Sequence, residues 1–94
     1  MNMKIKCEGY ILVPDADLSK VAEELTNHIE LTRREEGCLV FHVTQDAKNK
    51  NRFDVYEEFS NQEAFEIHQD RIKNSKWSDV SKDVKRNYKI STFS

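Results

Sequence analysis

RFDVYEEFSNQEAFEIHQ, residues Arg52–Gln69, changes its apolar period halfway along. From Phe53 onward the face made by Phe53, Val55, Glu57 and Phe59 is apolar at three of four positions, the period-2 pattern of a strand with one buried side. Ser60 followed three residues later by Glu63 has capping-box spacing, and Ala64, Phe65, Ile67 and His68 then recur at helical intervals. The stretch therefore predicts a strand feeding directly into a helix.

Upstream, the polar run Asp46–Asn51 lies between two β-like segments, so Cys38–Gln45 and Arg52–Phe59 are expected to form an antiparallel hairpin. Gly37 is read as a helix terminator able to adopt positive φ. The helix it ends starts at Asp15 or Asp17, runs to about Glu35, and carries Leu18, Val21, Ala22, Leu25 and Ile29 on one face. Before it, alternation over Ile5–Val13 gives a first strand that stops at Pro14. Downstream, Asn74 or Ser75 signals another helix start, with Trp77, Val80 and Val84 on one face. Tyr88, Ile90 and Phe93 then supply a last strand. The order β-α-β-β-α-(α)-β is that of an α+β, ferredoxin-like fold: a four-stranded antiparallel sheet with helices on one face.

Ninety-four residues suit one domain spanning 1–94. Charged residues are 34% and the net charge is -2, which gives no electrostatic footprint for nucleic acid or an anionic membrane. The start lacks a secretory h-region and the apolar runs are short, so a soluble, cytoplasmic protein is expected. Cys7 and Cys38 form no CxxC and read as buried fillers.

If the helices cover Leu39, Phe41, Val43, Phe53 and Val55, alternation places Tyr10, Leu12, Val40, His42, Thr44 and Tyr56 on the reverse face. That face predicts a homodimer closing into a dimeric α/β barrel; the other reading is a monomer with an unusual surface.

Glu57 interrupts an apolar stripe. Either desolvation raises its pKa at a functional site, or strand twist carries it to the sheet end, or it forms a structural hydrogen bond. His68 points along the buried side of its helix, either as a satisfied core histidine or as a base that meets Glu57. His28 flanks the first helix's apolar stripe and can reach the same cleft. Trp77 is either core or a stacking surface. Arg33, Arg34 and Arg71 are ordinarily solvated, though one near the cleft mouth could bind an anion. No HxH, HxxxH or HExxH spacing occurs, so no metal site is expected. With only Gly9 and Gly37 as glycines, no phosphate loop can form, which disfavours nucleotide cofactors.

The stretches HIELTRREEGCLVFHV (His28–Val43), RFDVYEEFSNQEAFEIHQ (Arg52–Gln69) and SKWSDV (Ser75–Val80) resemble the antibiotic biosynthesis monooxygenase family, which includes quinol monooxygenases and an isomerase of a phosphorylated quorum-sensing signal. The resemblance implies a dimeric ferredoxin-like barrel with a pocket between sheet and helices. It also implies oxygenation of quinols, phenols or anthrones by molecular oxygen, with no flavin, haem or metal cofactor. In that reading His68, oriented by Glu57, is the catalytic base, and His28, Arg33, Phe41, Arg71 and Trp77 contact substrate. The alternatives are isomerisation of a small phosphorylated signal and non-catalytic binding of a small ligand. Haem degradation is disfavoured because all three histidines precede Trp77.

Overall fold

The computed structural model describes residues 3–94. The strands are β1 (Lys4–Leu12), β2 (Cys38–Gln45), β3 (Arg52–Phe59) and β4 (Lys85–Phe93), with helices α1 (Leu18–Arg33), α2 (Gln62–Lys73) and α3 (Lys76–Val80) between them. All pairings are antiparallel and the spatial order is β2-β3-β1-β4, the ferredoxin-like arrangement. A short 3-10 turn at Asp15–Asp17 leads into α1.

Alternation places Ile5, Cys7, Ile11, Phe53, Val55 and Phe59 beneath the helices, all buried. Two separate apolar clusters form there. One joins Ile11, Val13, Val21, Leu25, Phe53, Trp77 and Val84; the other joins Ile5, Cys7, Phe59 and Phe65. Between them the buried face carries polar side chains, and that interruption positions the site.

Several local expectations shift. Asn61, one residue past Ser60, caps α2 by accepting from the Ala64 amide at 2.8 Å. Ser75 caps α3 as expected, accepting from Ser78. α1 ends at Arg33, two residues short of Glu35, with Ala22 exposed on its outer side. Ile67 likewise lies on the outer side of α2, 58% exposed.

Gly37 does not adopt positive φ. It is glycine because α2 lies against it: a Cβ there would come within 2.2 Å of the Ala64 Cβ. Gly9 has a similar reason inside the sheet, where a Cβ would meet the Asn87 carbonyl oxygen at 1.9 Å. Leu39, expected under the helices, is 48% exposed, because the register between β2 and β3 shifts between Cys38 and Val40 and turns it outward.

The reverse face is more mixed than alternation of the apolar residues alone suggested. Tyr10, Leu12, Val40 and Tyr56 are half-buried there, whereas His42 and Thr44 are exposed. Charged residues interleave with them and pair in the plane of the sheet: Lys6 with Glu8, and Arg52 with Asp54. The Arg52 guanidinium also stacks 4.0 Å above the Tyr10 ring, and the Tyr56 hydroxyl donates to Glu58.

Candidate functional site

A cavity of about 290 Å³ lies between the sheet and the helices, walled mainly by apolar side chains such as Ile11, Leu25, Phe41, Val55 and Trp77. Glu57, His68 and His28 also line it, and each is at least nine-tenths buried. Five of the seven residues expected at the site, namely His68, Glu57, His28, Phe41 and Trp77, therefore meet on one cavity.

Glu57 projects from the centre of β3, opposite Cys7 on β1 and Phe41 on β2. With 6% of its surface exposed and another carboxylate, Glu35, nearby, it is pushed up to about 7, burial being the larger cause. Its ionised and neutral forms are thus both accessible near neutral pH.

His68 comes from the buried side of α2 and is not oriented by Glu57. Its Nδ1 lies 2.8 Å from Glu35 Oε1, whereas Glu57 Oε1 is 3.7 Å from Nε2, too far for a hydrogen bond. Because a carboxylate accepts, Nδ1 carries the proton and donates to Glu35, which leaves Nε2 as the basic nitrogen on the side of Glu57. Burial holds His68 below the usual imidazole value, with Glu35 acting against that and Arg71 adding to it.

Glu35, missing from the expected set, is the orienting group. It lies just past the end of α1 and also accepts from Arg71 Nε. Arg71 reaches the Thr32 hydroxyl at 2.8 Å as well, so it braces the base from behind and does not line the cavity. Arg33 is also elsewhere: its Nε and Nη2 donate to the Phe41 carbonyl at 3.0 and 2.8 Å. Its role is to tie α1 to β2. The surface cue for Glu35 was weak, since Glu35-Glu36 ends a polar helix turn with no apolar period to fix which acid points inward.

His28 stacks face to face on Trp77, ring centroids 4.8 Å apart, with Phe41 edge-on at 5.6 Å. Burial, followed by the nearby His68, Arg71 and Arg86, lowers it to about 3, so its ring is neutral. Its Nδ1 is buried with no hydrogen-bond partner among the described residues. An unmet lone pair costs less than an unmet N–H, so the proton resides on Nε2. The two histidines are therefore complementary: one presents a lone pair and the other an N–H.

Two further cavity residues, Arg86 and Tyr88, come from β4. Tyr88 is 39% exposed, but shielding of its hydroxyl and the charge of Glu57 push that group up, against the pull of Arg86. Cys7 lines the cavity floor, and burial pushes its thiol up to about 12, which leaves it protonated. Among the described residues, no group of three or more His, Cys, Asp or Glu is arranged to hold a metal ion, and no helix is long and apolar enough to cross a membrane.

Glu35→Ala should strip the only acceptor among the described residues from a buried imidazole N–H and release Arg71. The expected cost is about 1–3 kcal/mol, a fall in Tm of roughly 5–20 °C for a domain of this size. Thermal unfolding followed by circular dichroism checks this; an unchanged Tm would mean that water fully replaces the carboxylate.

The sequence pattern of the family described as antibiotic biosynthesis monooxygenase matches residues 5–77. Among solved structures, an antibiotic biosynthesis monooxygenase candidate from Nitrosomonas europaea superposes with a TM-score of 0.77 at 22% identity, covering 98% of this chain and 88% of that one. Another such candidate, from Deinococcus radiodurans, gives 0.75 at 22% identity, over 98% and 91% of the two chains. The uncharacterized protein YjcS of Bacillus subtilis (strain 168) is 32% identical over 57 residues, 61% of this chain. That match spans about half, 54%, of the length of YjcS.

Proposed function

As the chain belongs to the antibiotic biosynthesis monooxygenase family, we propose that it oxygenates a small hydroxylated aromatic of quinol or anthrone type with molecular oxygen. The observation that carries this reading is the orientation of His68: Nδ1 is committed to Glu35, and Nε2 is free beside Glu57 in a cavity with mostly apolar walls.

In this reading Nε2 of His68 removes the substrate's hydroxyl proton. The neutral His28 donates its Nε2–H to the anion that results, in a site where low polarity strengthens that hydrogen bond. The electron-rich anion passes one electron to dioxygen, and the two radicals combine into a peroxide. The peroxide recovers the proton from His68 and loses water, leaving a carbonyl. Both electron pairs that reduce dioxygen, to the new carbonyl oxygen and to water, come from the substrate, so the scheme calls on no flavin, haem or metal. Aromatic wall residues such as Phe41 and Trp77 suit a flat aromatic ring.

The test is oxygen uptake by metal-stripped protein with a panel of hydroquinones and anthrones, measured against uncatalysed autoxidation. Uptake above that background supports oxygenation. Turnover of a ketol without oxygen consumption would move the same base to keto–enol isomerisation, and binding without turnover would leave a ligand carrier.

Functional assembly is proposed to be a symmetric dimer through the reverse sheet face, where Tyr10, Leu12, Val40 and Tyr56 have no helix to cover them. Light scattering at micromolar concentration should give twice the chain mass. Tyr56→Asp, which sets a second carboxylate beside Glu58, should return it to the monomer; a stable wild-type monomer would refute the assembly.

A further inference from the structure

Arg86 stands on the cavity wall without a carboxylate among the described residues to neutralise it. Arg34, Arg52 and Arg71 each pair with an acid, Glu30, Asp54 and Glu35 respectively, and Arg33 is spent on a backbone carbonyl away from the cavity. Arg86 is held differently. Its Nη1 donates to the carbonyls of Ser81 at 3.3 Å and Val84 at 3.4 Å, and its Nη2 donates to the Ser81 hydroxyl at 2.6 Å. Ser81 is fully buried, so the guanidinium is fixed by neutral groups that leave its charge intact. The Tyr88 hydroxyl beside it is protonated and neutral too.

Five N–H bonds minus these three leaves Nε–H and one Nη2–H; no carboxylate or carbonyl accepts either among the described residues, and their neighbour is the neutral Tyr88 hydroxyl, a weaker acceptor than a carboxylate. Together they form one edge of the planar fork, the geometry that grips a carboxylate through two parallel hydrogen bonds. The strand register points the same way: Arg86 lies opposite Ile11, and Tyr88 opposite Gly9, so both face the helix side of the sheet and not the reverse face. A second unmet group in the same cavity is the buried His28, whose Nδ1 has no partner among the described residues.

We propose that the ligand of this cavity carries a carboxylate, bound by the open edge of Arg86, in addition to the hydroxyl that faces His68. This rests on reading the cavity as the substrate site and narrows the substrate to hydroxylated aromatic acids. A phosphate ester fits less well. A dianion calls for a second uncommitted cation, and the other cationic wall residue, Lys73, is already near Asp70.

The chain's single tryptophan, Trp77, lies on the cavity wall, so its fluorescence reports occupancy at this place. The probes are 4-hydroxybenzoate, its neutral counterpart 4-hydroxybenzamide, and 4-hydroxyphenyl phosphate, none of which needs oxygen. The wild type is expected to bind the carboxylate about 10- to 100-fold more tightly than the amide, the range of a charge-assisted contact. Arg86→Gln should erase that preference, the acid losing far more affinity than the amide, and an unchanged far-UV circular dichroism spectrum shows that the variant is folded. Arg86→Lys, with the charge but not the fork, should keep only part of it.

Equal affinity for acid and amide, a preference that survives Arg86→Gln, tighter binding of the phosphate ester, or no binding of any probe would each overturn the proposal. Carboxylate preference without oxygen uptake on any substrate would uphold this subsite and sink the oxygenation; uptake without the preference would do the reverse.

Discussion

His68→Ala is expected to lower oxygen uptake by about 10²- to 10⁴-fold, the usual contribution of a positioned general base. The size of the effect follows from how completely this imidazole is committed. Glu35 fixes its tautomer, and Phe41 and Phe59 pack around the ring, with Phe59 at a centroid distance of 4.8 Å. No other side chain in the cavity offers a neutral lone pair in the same position, since the free lone pair of His28 is buried at Nδ1. Truncation also leaves a hole the size of the lost ring. Added imidazole should therefore restore part of the rate, which separates loss of the base from loss of the fold. A variant retaining more than a small fraction of wild-type uptake would mean that the proton leaves by another route.

Glu57→Gln should make the protein more stable at pH 8 while changing little at pH 4.5. The folded protein holds Glu57 at about 7 rather than near 4.5, so it favours the neutral acid. Between those values the native state binds more protons than the unfolded chain, and stability falls as pH rises across the window. The full penalty above pH 7 is on the order of 3 kcal/mol. The amide of the variant never ionises and escapes it.

His28 and His68 run the opposite way. Both are held below the usual imidazole value, so the unfolded chain takes up their protons first on acidification, and they stabilise the fold as pH rises toward 6.5. The wild-type profile mixes these trends, which is why the comparison must be variant minus wild type, by urea titration at each pH. A difference that stays flat from pH 4.5 to 8 would mean that Glu57 is solvated, and its role as a dual-state group would fall with it.

The order of elements was legible because each carries its own period, and Glu57 and His68 stood out as polar groups on apolar stripes. What escaped the sequence did so for local physical reasons. Leu39 continues the alternation of β2 on paper, but a register shift turns it outward. Glu35 follows the last turn of α1, beyond the reach of helical periodicity, and only the approach of α2 reveals that it meets His68 and Arg71. Arg71 and Arg33 looked interchangeable as cleft cations; their acceptors, a carboxylate and a backbone carbonyl, decide otherwise. Arg86 shares its face of the strand KRNYKISTF with Tyr88 and Ile90, a stripe too short to mark an inward-facing arginine.

That last strand gives the site an uneven foundation. The base and its brace are carried by α2 and the end of α1, whereas Arg86 and Tyr88 are carried by β4, which pairs on one side only, with β1. Most of its side chains are exposed, so substitutions there disturb little packing. Under mutation, the selectivity of such a pocket can therefore wander while its proton-transfer apparatus stays put. Lineages built on this frame would diverge first in what they accept, and only later in what they do to it.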